Sequence, residues 1–142
     1  MIDKSEIRAL IPHAGSMCLL DEVVAWDDES ITCVSNTHRD ALNPLRRNGR
    51  LSSVHAFEYG AQAIAIHGGL QARAAGETAP PGYLAALRDG RLHVQWLDDL
   101  AAPLRVRAVR LFADRANNVY QCAISTGQNL VAEARVTIML RG

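Results

Sequence analysis

Residues Leu51 to Arg73, LSSVHAFEYGAQAIAIHGGLQAR, read as one long helix. A turn at Gly49 precedes it, Ser52 or Ser53 supplies the cap, and Ala, Ile, Val and Leu make up most of its length. Small residues (Ala56, Gly60, Ala61, Ala63, Ala65) let another surface come close to its backbone. A mostly apolar helix of this length in a small domain is expected to be buried. Glu58 interrupts it, with His55 three residues before and Gln62 four residues after. At about 100° per residue both lie within about 60° of Glu58, so the three form a single polar stripe. A carboxylate in such a place is costly unless it is paired or used.

The flanking segments are mostly strand-like. Ser5 to Ile11 forms a short helix stopped by Pro12. Met17–Trp26 and Ile31–Thr37 read as strands on either side of the Asp27–Ser30 turn. His38 to Arg50 is loop, marked by Asn43-Pro44 and Asn48-Gly49. Beyond the helix, Gly76 to Gly82 with Pro80-Pro81 is an irregular link. Tyr83–Leu87 and Arg91–Trp96 flank a turn or bulge at Asp89-Gly90, and Leu104–Ala113 alternates apolar and polar. Val119–Ser125 and Leu130–Leu140 form a hairpin around Thr126-Gly127-Gln128-Asn129. Strands segregated from one helix and joined by hairpins predict an α+β domain, an antiparallel sheet wrapped around one long central helix.

The chain has 142 residues, enough for one domain with a core of its own, residues 1–142. Its formal net charge is zero, and no basic tract or aromatic-basic interleaving points to nucleic acid. The apolar runs are too short to span a bilayer, and MIDKSEIRAL does not read as an export signal. Cys18, Cys33 and Cys122 are odd in number, widely spaced and set in apolar stretches. Buried free thiols in a reducing, cytoplasmic compartment are the expectation. No histidine has metal-ligand spacing with Cys or Asp, so no metal is predicted.

Three motifs in order carry a family resemblance. Leu10-Ile11-Pro12-His13 followed by Met17-Cys18-Leu19-Leu20-Asp21-Glu22-Val23 resembles the opening of the hotdog-fold 3-hydroxyacyl-ACP dehydratases (FabZ/FabA-like). Phe57-Glu58-Tyr59-Gly60-Ala61-Gln62 resembles that family's helix segment with its catalytic acid, and Leu130 to Thr137 its last strand. The resemblance implies a hotdog fold, normally a homodimer whose sheets join and whose substrate tunnels lie between protomers. It departs at one place. The family's catalytic histidine lies fourteen residues before the acid, and that count from Glu58 lands on Pro44, beside Asn43. Members lacking the His-Phe-Pro motif resemble a divergent branch, some of it associated with aryl-polyene synthesis.

Dehydration of a 3-hydroxyacyl thioester needs a base for the C2 proton, an acid for the leaving hydroxyl and donors for the thioester oxygen. Glu58, partly desolvated, is the candidate acid; its competing role is an arginine pair or an interface network. His55 is the nearest replacement base, or else a histidine hydrogen-bonded within the interface. Amides near Ser53 and Val54 at the helix start are candidate oxyanion donors. Gln62 and His13 are further substrate-binding candidates, each with a structural role as its alternative; His67 lies about 180° from Glu58, outside the stripe. Arg46, Arg47 and Arg50 are candidate contacts for a carrier, though a solvated loop is the plain reading. The substrate would ride on the phosphopantetheine of acyl carrier protein or on coenzyme A, with no further cofactor. The chain would assemble as a homodimer or higher homo-oligomer. The rival functions are a hotdog thioesterase and an inactive acyl-thioester binder in a heterodimer.

Overall fold

The computed structural model describes residues 2–11, 17–80 and 82–140. Strand β1 (Ile2–Asp3) leads into helix α1 (Lys4–Leu10), capped by Asp3, whose Oδ1 accepts the Glu6 N–H. Strands β2 (Glu22–Trp26) and β3 (Ser30–Ser35) follow, then helix α2 (Ala56–Ala74). Strands β4 (Gly82–Leu92), β5 (Leu104–Ala113), β6 (Asn117–Thr126) and β7 (Asn129–Leu140) complete the order. Among the described residues the seven strands form one antiparallel sheet in the order β1-β2-β3-β5-β6-β7-β4. The α+β architecture with one long central helix is the one the periodicity predicts.

α2 lies against one face of this sheet. Its buried Tyr59, Ala63, Ile66 and Leu70 belong to one core with Leu104, Val106 and Ala108 of β5 and Cys122 and Ile124 of β6. Alternation does the sorting, since Leu104, Val106 and Ala108 turn inward while Arg105 and Arg107 between them stay exposed. The small residues of α2 have the effect anticipated for them. A Cβ at Gly60 would sit 3.4 Å from the Cβ and Sγ of Cys122, so helix and sheet are already in contact there. Cys18, Cys33 and Cys122 are free and buried, and burial pushes the Cys33 and Cys122 thiols up to about 12.

Some elements differ from expectation, the first being the short strand β1, which the alternation does not predict. The predicted helix start is a separate 3-10 turn over Ser53–His55, and α2 proper begins at Ala56. Of the turn or bulge expected at Asp89-Gly90 the structure has the bulge, within a single β4, with Asp89 at φ +53° and the register slipping between Arg88 and Arg91. That strand ends at Leu92, so Trp96 lies outside it. Residues Cys18 to Leu20 are not strand, because the Leu19 amide bonds a side chain of α2 instead. The expected Pro12 stop and His13 lie outside the described residues.

Candidate active site on the long helix

Glu58 stands in the first turn of α2 and is exposed on the protomer. The desolvation expected of it is therefore not provided by its own chain. Its neighbour in the stripe is close: Gln62 Nε2 lies 3.4 Å from Glu58 Oε1, a long contact. The shorter bonds of Gln62 go elsewhere. Nε2 donates to the Met17 carbonyl at 2.6 Å, and Oε1 accepts the Leu19 N–H at 2.9 Å. Gln62 thus fastens the segment before β2 onto α2, within one chain, as its structural alternative has it. His55 is half-buried in the 3-10 turn, and among the described residues no hydrogen bond joins it to Glu58.

The amides considered as oxyanion donors are mostly engaged. Ser53 N–H donates to Gln95 O at 2.9 Å, and His55 N–H to Ser52 O at 3.1 Å. Val54 N–H has only a 3.3 Å bond to Ser52 Oγ, and its side chain is exposed beside the helix start. Of the donors named from sequence, Val54 is the one a ligand displaces at least cost.

A groove of about 900 Å³ lies along α2 from Ala61 onward, beginning one turn past Glu58. Ala61, Ala65, Gly68 and Ala72 form its floor, with Leu84 and Ile138 as walls. Those floor residues stand three, seven, ten and fourteen positions after Glu58, so they share its side of the helix and extend about 21 Å along it. Beside Glu58 and outside this groove, Gly90 of the β4 bulge covers Phe57: a Cβ there would meet Phe57 Cζ at 3.4 Å. The sequence shows these small residues but not the wall opposite, which comes from strands far along the chain.

The remaining polar residues have structural partners. His67 Nε2 donates to Asp27 O at 2.7 Å, which leaves Nδ1 to accept the Tyr120 hydroxyl at 2.5 Å. Burial lowers the His67 pKa and pushes Tyr120 up to about 12, so both stay neutral. His38 donates from Nε2 to Leu100 O, its Nδ1 is a buried acceptor with no partner among the described residues, and burial lowers its pKa too. Asn43, beside Pro44, donates to Tyr59 Oη at 3.2 Å and to Thr37 O at 2.9 Å. It fastens the loop to α2, and Tyr59 adjoins Glu58 in sequence.

Arg46 and Arg50 turn out to hold that loop together. Arg46 donates to the carbonyls of Asp40, Gly49 and His38. Arg50 bonds Asp98 and Asp99 and lies over the Trp96 ring at 4.4 Å. Arg47 is exposed, and its guanidinium is not drawn into these loop contacts. Among the described residues no three His, Cys, Asp or Glu side chains converge as metal ligands would.

Residues 5–141 match a family model described as ApeP-like, ApeP dehydratase. No curated protein matches the sequence. Among solved structures, the dehydratase heterocomplex ApeI:P from Xenorhabdus doucetiae is similar at 24% identity and TM-score 0.85, covering 96% of this chain and 91% of that one. A thioesterase from Haemophilus influenzae is similar at 17% identity and TM-score 0.63, covering 100% and 92%. A thioesterase family protein from Silicibacter pomeroyi is similar at 10% identity and TM-score 0.67, covering 95% and 98%. At these identities the likeness is one of fold, and that fold is the hotdog.

Proposed function

We propose, from the premise that this chain belongs to the ApeP-like dehydratase family, that it removes water from a 3-hydroxyacyl thioester with Glu58 as the acid. The carrying observation is that Glu58 and the floor of an apolar groove occupy one side of α2. A thioester head placed at Glu58 leaves its acyl chain in that groove. Glu58 gives its proton to the departing C3 hydroxyl, the C2 proton passes to His55, and the C2–C3 double bond forms as water leaves. The Val54 N–H takes the thioester oxygen as it gains charge. The family name favours aryl-polyene-type chain building over ordinary fatty acid synthesis, and the substrate rides on a carrier protein or coenzyme A. Buried reduced thiols favour a cytoplasmic setting. Among the described residues no helix is long and apolar enough to cross a membrane.

A second hotdog chain completes the site in this proposal. β4 is an edge strand with Leu84, Leu87 and Leu92 exposed, and Phe57 beside Glu58 packs beneath its bulge. A chain added to that edge supplies the desolvation that Glu58 lacks alone. The ApeI:P heterocomplex and the missing motif histidine favour a mixed pair over the homodimer expected from the wider family.

Mass spectrometry of a 3-hydroxyacyl carrier protein tests the reading, with the chain alone and with its co-expressed partner. Loss of one water, reduced about 10²–10⁴-fold in Glu58→Gln, supports it. Equal dehydration by Glu58→Gln refutes the assignment of Glu58. Release of free acid instead makes the protein a thioesterase. His55→Gln identifies the base: full activity in that variant moves the base to the facing chain.

A further inference from the structure

The face of the sheet turned away from α2 is divided between arginine and apolar side chains, a division invisible in the sequence. Cross-strand register places Arg88 of β4 directly opposite Arg135 of β7. One row further on, Arg91 of β4 and Arg107 of β5 lie at the two ends of a line through Glu133 and Ala123. Arg105 begins the next row. Arg105, Arg107 and Arg135 alternate with inward-facing core residues, all five arginines are exposed, and none makes an ion pair among the described residues. Arg107 has one bond, to Thr32 Oγ1 at 3.2 Å. The carboxylates on the paired strands of this face are Glu133, held by His93 at 3.1 Å, and, at its far side, Glu22 with Asp3 directly opposite it. With strands about 4.8 Å apart and alternate residues about 6.8 Å apart, the cationic area measures roughly 14 by 13 Å.

The other end of the same face is apolar. Phe112 of β5 pairs with Val119 of β6, and Met139 of β7 continues the patch. Phe112 is 53% exposed and its neighbour Leu111, thrown out by a bulge, 51%. Like charges directly opposite each other cost stability, and exposed aromatic and aliphatic groups beside them cost solubility. Arginine, methionine and aromatics bordering one another are the composition of protein interfaces.

We propose that this outer sheet face docks an acidic helical surface of the carrier protein that delivers the thioester. The inference rests on the carrier-borne substrate of the proposed function. Carboxylates at i, i+4 and i+7 of a helix span about 10 Å, which fits inside the arginine area, and an apolar residue beyond them meets Phe112. A second copy of this chain does not fit. Face-to-face pairing over the arginines opposes like charge, and pairing over the apolar end leaves the arginines uncovered. Nucleic acid leaves the apolar half without a partner. Reach is favourable as well. The Arg91 end of the face is followed by Gln95, whose carbonyl binds Ser53 at the entrance to α2, a short way before Glu58.

The test uses the full chain together with its co-expressed partner chain, an Arg105→Glu/Arg107→Glu/Arg135→Glu variant and a triple Arg→Gln variant of this chain in the same pair, with holo acyl carrier protein as the probe. Circular dichroism checks that each variant is folded, and the Gln variant serves if reversal prevents folding. The expected result is carrier affinity weakened at least about tenfold at low ionic strength, with the difference shrinking as salt rises. A further expected result is loss of kcat/KM on the carrier-borne substrate but not on an N-acetylcysteamine thioester. Unchanged carrier affinity in the folded variants overturns the docking surface while leaving the dehydratase reading intact. Equally strong, salt-sensitive binding of duplex DNA overturns it too, as a non-specific polyanion surface. Carrier binding that depends on the arginines, without dehydration of either substrate, upholds the surface and removes the dehydratase reading.

Discussion

Replacing Gln62 by methionine separates scaffold from chemistry at the polar stripe. Methionine keeps nearly the volume and flexibility of glutamine, so the packing change is small. It removes both short bonds of the side chain, leaving the buried Leu19 N–H and the half-buried Met17 carbonyl without their partners. A backbone group left unsatisfied costs about 1–3 kcal/mol. The Leu19 amide lies in the core and takes the upper part of that range, whereas the Met17 carbonyl recovers some hydration. The loss expected is therefore about 3 kcal/mol. For a chain of this length it lowers Tm by about 10 °C.

Urea unfolding followed by circular dichroism measures this loss directly. Gln62→Glu is the informative companion. Its carboxylate still accepts the Leu19 N–H but cannot donate to the Met17 carbonyl, and it stands four residues from Glu58. Protonation restores the donor, so the introduced carboxyl has a raised pKa in the folded state. The stability it contributes is then present at low pH and lost as pH rises through that pKa. A Gln62→Met protein within about 0.5 kcal/mol of the unmutated one, yet with lowered kcat, would refute the scaffold role and return Gln62 to the reacting groups.

The groove, the buried histidines and the edge strand each carry a further expectation. Gly68→Phe projects into open space, since nothing lies within 4 Å of a Cβ there; it should fold normally and block the groove. Turnover of long acyl thioesters should fall while that of short ones persists, and a uniform loss across chain lengths would exclude the groove as the acyl site. His38 and His67 both have pKa values lowered by burial, so the unfolded chain binds protons that the folded chain does not. Stability is then fully present above about pH 6.5 and falls below it, by at most about 1.4 kcal/mol per pH unit for each histidine. Urea titrations at successive pH values check the sign, and a flat profile between about pH 6.5 and 5 would contradict it. Leu87→Glu on the exposed edge strand should weaken partner association, read as lower apparent mass at equal concentration in light scattering.

The fold was legible because its signals are local. Period-two alternation in Leu104–Ala113 and the apolar run of α2 each specify an element without reference to the rest of the chain. The misses share the opposite cause. Cys18 to Leu20 have strand-like residues, but the Leu19 N–H finds Gln62 across 43 positions of sequence, and a side chain takes the place of a sheet partner. At Asp89-Gly90 the local signal leaves turn and bulge open, and it is pairing with β7 on both sides that carries the strand through as the bulge. The helix start is a 3-10 turn because the Ser53 N–H is drawn to Gln95, a partner no helix signal announces. Two residues of strand at Ile2–Asp3 exist through pairing with β2 alone.

The arginines show the same limit for the candidate site. Arg46, Arg47 and Arg50 are close in sequence, and that closeness suggested a surface for anions. In the fold, the first and last are drawn to carbonyls and to Asp98 and Asp99, so adjacency along the chain became a stapled loop. Arg88, Arg107 and Arg135 are separated by at least nineteen positions and gave no signal, yet strand register carries them onto one face. The difference is physical. A loop has many unpaired carbonyls that consume nearby guanidinium groups, whereas the strands of a sheet satisfy their own backbone and leave side chains free. Charge that survives folding unpaired is therefore better sought on strand faces, through register, than in basic clusters of a loop. Glu58 follows the same logic. Its helix satisfies its own backbone, Gln62 is occupied with the segment before β2, and the carboxylate is left exposed one turn before an apolar groove, available to a substrate and to a second chain.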